Sequence, residues 1–244
     1  MALKVLGVIP ARAGSQRIPN KNMRLLAGWP LLEYSVAAAR SSQICTEIAI
    51  ATDGLDMQPI ADRYGARVIP RAPVTGLQPD IVWVRDVLSA CRAHPPDVLM
   101  ILRPTSPFRD AAVIRAAWQR FEAEQPADSL RLVRRVREHP GKMWMAQRSQ
   151  RLVPLLPYWT RTGQWSTDTP WHSAPTQSLP DIYMQTAGLE IAWVRSIRHS
   201  ETIAGVAIVG YLVDGAQALD INTEEDWQEA ERLIAAGVKL PDVV

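Results

Sequence analysis

A short stretch near the N-terminus, PARAGSQRIPNKN at positions 10–22, combines small residues with positive charge. Gly14 and Ser15 permit a close approach of the backbone to a ligand, and Arg12, Arg17 and Lys21 supply three cations. Because the stretch follows an apolar run, we expect it to connect a strand to a helix, where α/β sheets bind phosphates. It fits neither GxGxxG nor GxxxxGK[ST], which excludes the usual dinucleotide and Walker motifs. The pattern predicts a loop that binds a polyphosphate.

The elements that must position this loop follow an α/β pattern, in which short apolar runs alternate with helical periodicity. The predicted strands cover residues 5–10, 47–52, 66–69 and 97–102, with an edge or antiparallel strand at 129–136. The predicted helices cover residues 31–40, 55–64, 81–92 and 111–124, the last with Asp110 as its N-cap. Further ordered segments are predicted at 189–194 and 203–209. A final helix, capped by Thr223, runs to about Ala236. This order predicts a mostly parallel sheet flanked by helices.

The periodicity stops between residues 137 and 180, where prolines recur and Trp144, Trp159, Trp165 and Trp171 are concentrated. Such a segment is too long for an ordinary loop. Large aromatic side chains need burial, and this segment offers no core of its own. We therefore expect a core formed by residues 1–136 and 181–244, and an insertion at 137–180 that packs on another subunit.

Composition excludes several function classes. The 244 residues carry 27 Lys and Arg against 25 Asp and Glu, a net charge of +2 that is too balanced for a nucleic-acid or acidic-lipid partner. Cys45 and Cys91 lie in apolar stretches without a CxxC spacing, so a disulfide scaffold, a zinc site and a thiol nucleophile all lack support. The N-terminal apolar run is too short for a signal peptide, and no stretch of 18 apolar residues follows. We expect a cytoplasmic protein without a membrane partner.

The loop at 10–22 resembles the nucleotide-binding signature of the cytidylyltransferases that activate nonulosonic acids, namely the N-acylneuraminate enzymes and their legionaminic- and pseudaminic-acid relatives. Further blocks follow in family order: TD at 52–53, LRPTSPFR at 102–109, HPGKMW at 139–144, QTAGLEI at 185–191 and LDINTEEDW at 219–227. The second and third of these are closest to the legionaminic-acid branch. The resemblance implies a Rossmann-like nucleotidyltransferase sheet with a small insertion for dimerisation and the sugar site. It also implies transfer of CMP from CTP to the anomeric hydroxyl of a nine-carbon 2-keto sugar acid, with Mg²⁺ as cofactor, pyrophosphate as second product and a homodimer as the working form.

Site residues follow from the resemblance by position. It gives catalytic roles to Arg12, Lys21 and Asp220. The nucleotide would contact Ala11, Arg12, Gly14, Ser15, Gln16, Arg17, Lys21, Asn22, Arg71 and Asp80. The sugar would contact Arg103, Thr105, Lys142 and Gln185, and Asp220 with Asn222 would hold the metal.

Several positions depart from the family pattern. Gln16 stands where a lysine is common, and Asn222 where many members have a second aspartate. Residues 174–178 lack the usual arginine, and Thr186 and Ala187 replace Asn-Gly. The segment 77–82 offers no obvious hydroxyl near Asp80 that could bind the cytosine amine.

Alternatives therefore remain open at the level of residues and of function. Asp53 either acts in the site or caps the following helix, and Lys142 either binds the substrate carboxylate or is solvated. At the level of function, one alternative is a nucleotidyltransferase that uses GTP or 3-deoxy-octulosonate. The other is a degenerate, non-catalytic homologue that binds a nucleotide sugar.

Overall fold

The structure is a computed structural model that describes residues 2–15, 17–54, 56–73, 78–148, 151–156 and 170–243. The chain divides into two compact units, one formed by Met1–Val133 with Gln185–Val244 and the other by Arg134–Met184. The segment predicted as an insertion, 137–180, lies within the second unit.

The elements follow the predicted alternation closely in the first part of the chain. The described strands are β1 (Val5–Ala11), β2 (Leu25–Leu26), β3 (Trp29–Pro30), β4 (Glu47–Thr52), β5 (Arg67–Pro70), β6 (Val98–Ile101), β7 (Ser129–Arg135), β8 (Trp144–Ala146), β9 (Leu152–Pro154), β10 (Tyr183–Trp193) and β11 (Ile208–Leu212). The described α-helices are α1 (Leu31–Ser42), α2 (Gln58–Tyr64), α3 (Ile81–Ala90), α4 (Ala111–Ala123), α5 (Val194–Ser200) and α6 (Glu224–Ala235). None of the helices in the described ranges is long and apolar enough to cross a membrane.

A seven-stranded sheet forms the centre of the fold, in the order β11-β7-β10-β6-β1-β4-β5. β1 is parallel to both β4 and β6, and β4 is parallel to β5. β10 is antiparallel to β6, while β11 is parallel to β7. This confirms the prediction of a mostly parallel sheet. The carboxyl ends of β1, β4, β5 and β6 lie at the same edge, where such sheets bind their ligands.

Helices cover both faces of the sheet because successive strand residues point to opposite sides. Val5 and Ile9 of β1 are buried in one apolar cluster with side chains of α1, α2 and α4. Leu6 and Val8 of the same strand are buried in a second cluster with side chains of α3 and α5. Both faces of β1 are therefore buried from solvent, which explains its uninterrupted apolar sequence.

The C-terminal helix begins as the sequence predicts. The hydroxyl of Thr223 accepts a hydrogen bond from the backbone N–H of Asp226, and the Asp226 carboxylate accepts one from the backbone N–H of Thr223 at 2.8 Å. This capping box satisfies N–H groups that the first turn of a helix leaves unpaired. Trp227 on the buried face of α6 packs into a third apolar cluster with Ile18, Leu31 and other residues. The box thus fixes the segment that immediately precedes α6.

The structure decides between two pairs of alternatives. β7 is not an edge strand, because β11 pairs with its outer side, and its hydrogen bonds to β10 run in antiparallel register, from Val136 to Ile182 and from Trp193 to Asp128. Asp53 does not cap the following helix, because α2 starts at Gln58.

One detail of the sequence prediction is wrong. The segment predicted at 203–209 becomes a strand only from Ile208, since the Asp128 carboxylate binds the backbone N–H groups of Val206 and Ala207 and holds that part in a loop.

The second unit, Arg134–Met184, contains a hairpin of β8 and β9 and a short 3-10 turn at Pro140–Lys142. The Lys142 ammonium group donates hydrogen bonds to the carbonyl oxygens of His172, at 3.0 Å, and Ala174. Large apolar side chains of this unit are exposed: Met143, Trp144, Met145, Leu152, Leu155, Tyr183 and Met184. Two tryptophans of the predicted insertion, Trp159 and Trp165, lie outside the described residues.

Candidate active site

A polar cavity of about 340 Å³ opens at the carboxyl edge of the sheet, within the first unit. It is lined by residues from segments that are far apart in sequence: Pro10, Arg12, Ser15, Lys21, Asn22, Arg71, Gln78, Asp80, Trp83, Arg103, Pro104, Thr105, Ala187, Asp220 and Asn222. Ten residues of the predicted site are among them. The cavity therefore brings together most of the predicted site residues.

Hydrogen bonds with Asp53 and Asn22 help to hold the loop after β1 in place. The backbone N–H of Ala13 donates to the Asp53 carboxylate at 2.7 Å, and the side-chain amide of the buried Asn22 donates to the carbonyl oxygen of Arg12 at 3.1 Å. The first bond ties the loop to the end of β4. Since a preorganised loop loses less entropy when it binds phosphate, these contacts favour the predicted polyphosphate site. Gly14 has no atom within 4 Å of where a Cβ would lie, so the backbone there is open to a ligand.

Lys21 lies beside the segment that precedes α6. Its ammonium group donates a 2.7 Å hydrogen bond to the carbonyl oxygen of Ile221. Burial lowers the pKa of Lys21 to about 8; Asp220 and Asp226 oppose the shift, and Arg17 and Arg12 add to it. The backbone N–H of Ile221 also donates to the carbonyl oxygen of Thr105 at 2.8 Å. The cationic loop, the end of β6 and the predicted metal-binding residues are thereby joined.

Asp220 and Asn222 form the acidic part of the cavity. One carboxylate oxygen of Asp220 accepts a 2.7 Å hydrogen bond from the side-chain amide of Asn222. The other oxygen, Oδ1, is buried and has no hydrogen-bond partner within the described part of the chain. A buried carboxylate oxygen without a donor is costly unless a ligand satisfies it. Mg²⁺ prefers oxygen ligands and needs only one or two from the protein beside phosphates and water, so these residues fit it. Among the described residues no cluster of three or more His, Cys, Asp or Glu side chains could hold a metal.

Arg71, Trp83 and Asp80 line a further part of the cavity. The side chain of Arg71 is only 2% exposed, and its Nε has no partner among the described residues. Its guanidinium lies 5.7 Å from the ring centre of Trp83 and 3.9 Å from the Asp53 carboxylate. Burial lowers the pKa of Arg71, although Asp53 partly offsets that effect. A buried guanidinium with an unused donor is suited to the acceptor groups of a ligand.

A chain of four charged side chains runs inward from Asp80. The Arg103 guanidinium donates to the Asp80 carboxylate at 2.6 Å and to the Glu190 carboxylate at 2.6 Å. Glu190 is buried and also accepts from Arg131, which in turn donates to the carbonyl oxygen of Ile203. Burial opposes the charge of Arg103, but the two carboxylates outweigh it and raise the pKa of this arginine. Each buried charge is therefore paired.

Sequence reasoning missed Glu190, Arg131, Trp83 and the anchoring role of Asp53. Glu190 and Arg131 lie on β10 and β7, where alternation assigns a polar residue to the solvent side, whereas both are buried against each other. The signal available was one of charge complementarity, because Arg131 lies between two leucines and Glu190 lies between Leu189 and Ile191.

Some predicted residues do not line the cavity. Ala11 is buried in the apolar cluster beneath β1, and Arg17 and Gln185 are exposed. Gln185 lies two residues before Ala187 on β10, so both side chains are on the same face of the sheet. Lys142 belongs to the second unit. Gln16 lies outside the described residues.

Comparisons with known proteins identify the family of the chain. A protein-family model described as cytidylyltransferase matches residues 6–142. The chain is 30% identical to the CMP-N,N'-diacetyllegionaminic acid synthase of Legionella pneumophila, over 95% of this chain and 97% of that one. It is 27% identical to the N-acylneuraminate cytidylyltransferase of Escherichia coli, over 94% of this chain and 52% of that longer protein.

Two solved structures share the fold. One is a CMP:2-keto-3-deoxy-manno-octonic acid synthetase complexed with CTP, with a TM-score of 0.62 and 14% identity over 96% of this chain and 99% of that one. The other is a cytidylyltransferase from Leptospira borgpetersenii, with a TM-score of 0.59 and 16% identity over 98% of this chain and 89% of that one. At these identities the structures support the architecture of the sheet and helices.

Proposed function

The chain belongs to the cytidylyltransferase family and is a nucleotidyltransferase; from this premise we propose that it transfers CMP from CTP to the anomeric hydroxyl of a sialic-like nonulosonic acid, with release of pyrophosphate. In this reaction the anomeric oxygen forms a bond to the α-phosphorus. The bond from that phosphorus to the bridging oxygen of the β-phosphate breaks, and the hydroxyl proton passes to solvent. The legionaminic-acid type of sugar is the best supported, since the relative of that type is 30% identical and is matched over 97% of its own length, against 27% and 52% for the N-acylneuraminate relative.

One observation carries the proposal: Arg12, Lys21 and Asp220 line the same cavity at the carboxyl edge of the sheet. The two cations lie on the loop after β1, whereas the carboxylate comes from just before α6. A triphosphate needs cations along its length, and a nucleotidyl transfer needs charge neutralisation on the leaving pyrophosphate. We assign Arg12 and Lys21 to the β- and γ-phosphates, with Ser15 and Asn22 beside them.

Mg²⁺ fits the acidic part of the cavity. The buried Oδ1 of Asp220, which lacks a partner among the described residues, is the first candidate ligand, and the side-chain oxygen of Asn222 is the second. When bound there, the metal would neutralise phosphate charge. The protein's own contribution is to hold the Asp220 carboxylate in place through Asn222 and through the capped start of α6.

The sugar acid is assigned to the part of the cavity around Thr105 and Ala187. The hydroxyl of Thr105 is buried without a hydrogen-bond partner in the described ranges, so a ligand hydroxyl or carboxylate can satisfy it. Arg103 lines the same cavity, but its donors already bind Asp80 and Glu190. Gln185 and Lys142 remain predicted sugar-binding residues.

We further propose that the protein is a homodimer that works in the cytoplasm. The second unit exposes an apolar group of side chains, and contact with a second copy would remove it from water. The cytoplasm supplies the nucleoside triphosphate that the reaction consumes.

The deciding experiment is pyrophosphate release with Mg²⁺, in which CTP, GTP, UTP and ATP are each combined with neuraminic, legionaminic, pseudaminic and 3-deoxy-octulosonic acids. We expect release only with CTP and a nonulosonic acid. Release with GTP or with 3-deoxy-octulosonate would replace the proposal by a different nucleotidyltransferase. Binding of CTP without release for any sugar would indicate a non-catalytic homologue.

A further inference from the structure

The carboxylate of Asp80 is placed for a ligand rather than for its helix. Asp80 occupies the N-cap position of α3, where an aspartate usually accepts from a backbone N–H of the first turn. Here its side chain makes no capping hydrogen bond. It instead accepts from the indole N–H of Trp83 at 2.8 Å and from the Arg103 guanidinium at 2.6 Å. The side chain is 37% exposed and lines the cavity.

A chain of paired charged side chains holds the Asp80 carboxylate in position. Arg103, which binds it, is anchored by the buried Glu190, and Glu190 is bound from its other side by Arg131. Burial would raise the pKa of Asp80, but the charge and hydrogen bonds of Arg103 and the Trp83 indole outweigh it, so the pKa lies below its ordinary value. The cavity therefore presents an ionised hydrogen-bond acceptor that donates nothing.

Arg71 lies close by and presents the opposite property. Its guanidinium is 5.7 Å from the ring centre of Trp83, the residue that also binds Asp80, and its Nε is an unused donor among the described residues. A donor and an ionised acceptor are thus placed around one aromatic side chain. Cytosine offers the complement: an amine that donates at position 4, next to acceptors at N3 and O2. Uracil offers a carbonyl at position 4, an acceptor that would face the Asp80 carboxylate. Its N–H at position 3 is a donor that would face the Arg71 guanidinium.

We propose that Asp80 is the residue that selects the base, by accepting a hydrogen bond from the 4-amine of cytosine, and that Arg103 and Glu190 are the positioning residues that hold it there. The proposal rests on the function proposed above, since it takes a nucleoside triphosphate as the ligand. A carboxylate that a bound base covers, and that then faces the carbonyl of uracil, is the arrangement that gives strong discrimination.

The test is a set of equilibrium binding measurements on the full chain, with CTP, UTP and pyrimidin-2-one ribonucleoside triphosphate, which lacks the 4-amine. For the wild-type protein we expect CTP to bind at least ~10-fold more tightly than either of the others, the size of one charge-assisted hydrogen bond. In Asp80→Asn the amide oxygen can pair with Arg103 and the NH₂ group can face the base. We therefore expect the CTP-to-UTP preference to fall by ~10-fold or more, with a gain in UTP binding. In Asp80→Ala, CTP and the analogue should bind equally.

Asp214→Asn is the matched control, because it is the same substitution at an exposed residue that does not line the cavity. Its base preference should equal that of the wild type. A purely structural role for Asp80 would weaken all three nucleotides by one factor, and an unchanged CTP-to-UTP ratio in Asp80→Asn would overturn the proposal. So would equal binding of CTP and the analogue by the wild-type protein, a comparison that needs no variant. A wild-type protein that prefers CTP but releases no pyrophosphate would instead refute the proposed function alone.

Discussion

The ammonium group of Lys21 donates a 2.7 Å hydrogen bond to the carbonyl oxygen of Ile221, 200 positions further along the chain. The bond brings a cation of the loop after β1 next to Asp220, the carboxylate assigned to the metal. Because Ile221 also donates its N–H to the Thr105 carbonyl oxygen, three separate segments meet at the backbone of this one residue. Movement in any one of them would disturb the phosphate end of the cavity.

Lys21→Ala should lower turnover by ~10-fold or more without unfolding the protein. Loss of one charge contact to a developing anion commonly costs about 2–4 kcal/mol in the transition state. The measurement is steady-state pyrophosphate release, with thermal unfolding as the check on folding. Lys239→Ala is the control, since Lys239 is exposed and outside the cavity. Near-wild-type turnover in Lys21→Ala would remove this lysine from the assigned site.

Affinity for CTP should fall as the pH rises above about 8. The pKa of Lys21 is lowered to about 8 in the folded protein, so the free site loses this positive charge between pH 7 and 9. A bound triphosphate favours the protonated amine, and binding near pH 9 should therefore take up a proton. Titration calorimetry in buffers of different ionisation enthalpy measures that uptake. Lys21→Arg, which stays charged, should show no such uptake from this position; persistence of the full effect in that variant would assign it to another group.

The same lowered pKa has the opposite effect on the stability of the ligand-free protein. An unfolded Lys21 keeps its proton to about pH 10.5, whereas the folded one releases it near 8. Between these values the unfolded state binds more protons, so this residue makes the free energy of unfolding rise with pH. The contribution of Lys21 to CTP affinity therefore falls with rising pH, whereas its contribution to the free energy of unfolding rises. The opposite directions allow the two contributions to be measured separately.

The metal affinity of the site should increase in Asn222→Asp. The wild-type pair carries a single carboxylate, and the Asn222 amide occupies one of its oxygens. A second carboxylate would add charge and release that oxygen, which favours a hard divalent cation. We expect half-maximal activity at a ~10-fold lower Mg²⁺ concentration, by analogy with the effect of changing a metal ligand or its partner. Direct Mg²⁺ titration of the protein with bound CTP gives a readout apart from turnover. Asp214→Asn, an exposed change outside the cavity, should leave both values unaltered; no tightening in Asn222→Asp would remove this position from the metal site.

The sequence predicted the elements that obey a simple periodicity and the site residues that lie in recognisable blocks. The helix after Thr223 was predictable because a capping box is a local signal, and β1 because both its faces are dry. The pairing of Arg131 with Glu190 was not predictable, because it joins two neighbouring strands whose residues are 59 positions apart in sequence. A charged residue in a strand also suggests exposure. The role of Asp53 in anchoring the loop after β1 could not be predicted either, because its partner, the N–H of Ala13, is 40 positions away in the sequence.

Asp53→Ala should weaken CTP binding by ~10-fold, because it removes the carboxylate that holds the backbone of the phosphate loop. A hydrogen bond to a charged group contributes about 1.5–3 kcal/mol, and its loss leaves the Ala13 N–H unpaired. The same carboxylate faces Arg71 at 3.9 Å, so both ends of the nucleotide should be affected. Competition binding with CTP and with free triphosphate separates the two contributions. Asp56→Ala removes a carboxylate from an exposed neighbouring position and should bind CTP normally. If Asp53→Ala also binds normally, the loop does not depend on this contact.

Assembly should depend on the exposed apolar side chains of the second unit. Trp144 is 45% exposed and Leu152 is 59% exposed, on the two strands of one hairpin. A charge at either position would be buried without a partner in a dimer that uses this surface, which is strongly unfavourable. We expect Trp144→Glu and Leu152→Glu to be monomers at micromolar concentration by light scattering, while the wild-type protein is a dimer. Ile208→Glu is the control, because Ile208 is 52% exposed but belongs to β11 of the first unit. A wild-type monomer, or a Trp144→Glu dimer of unchanged affinity, would show that this surface does not join two copies of the chain.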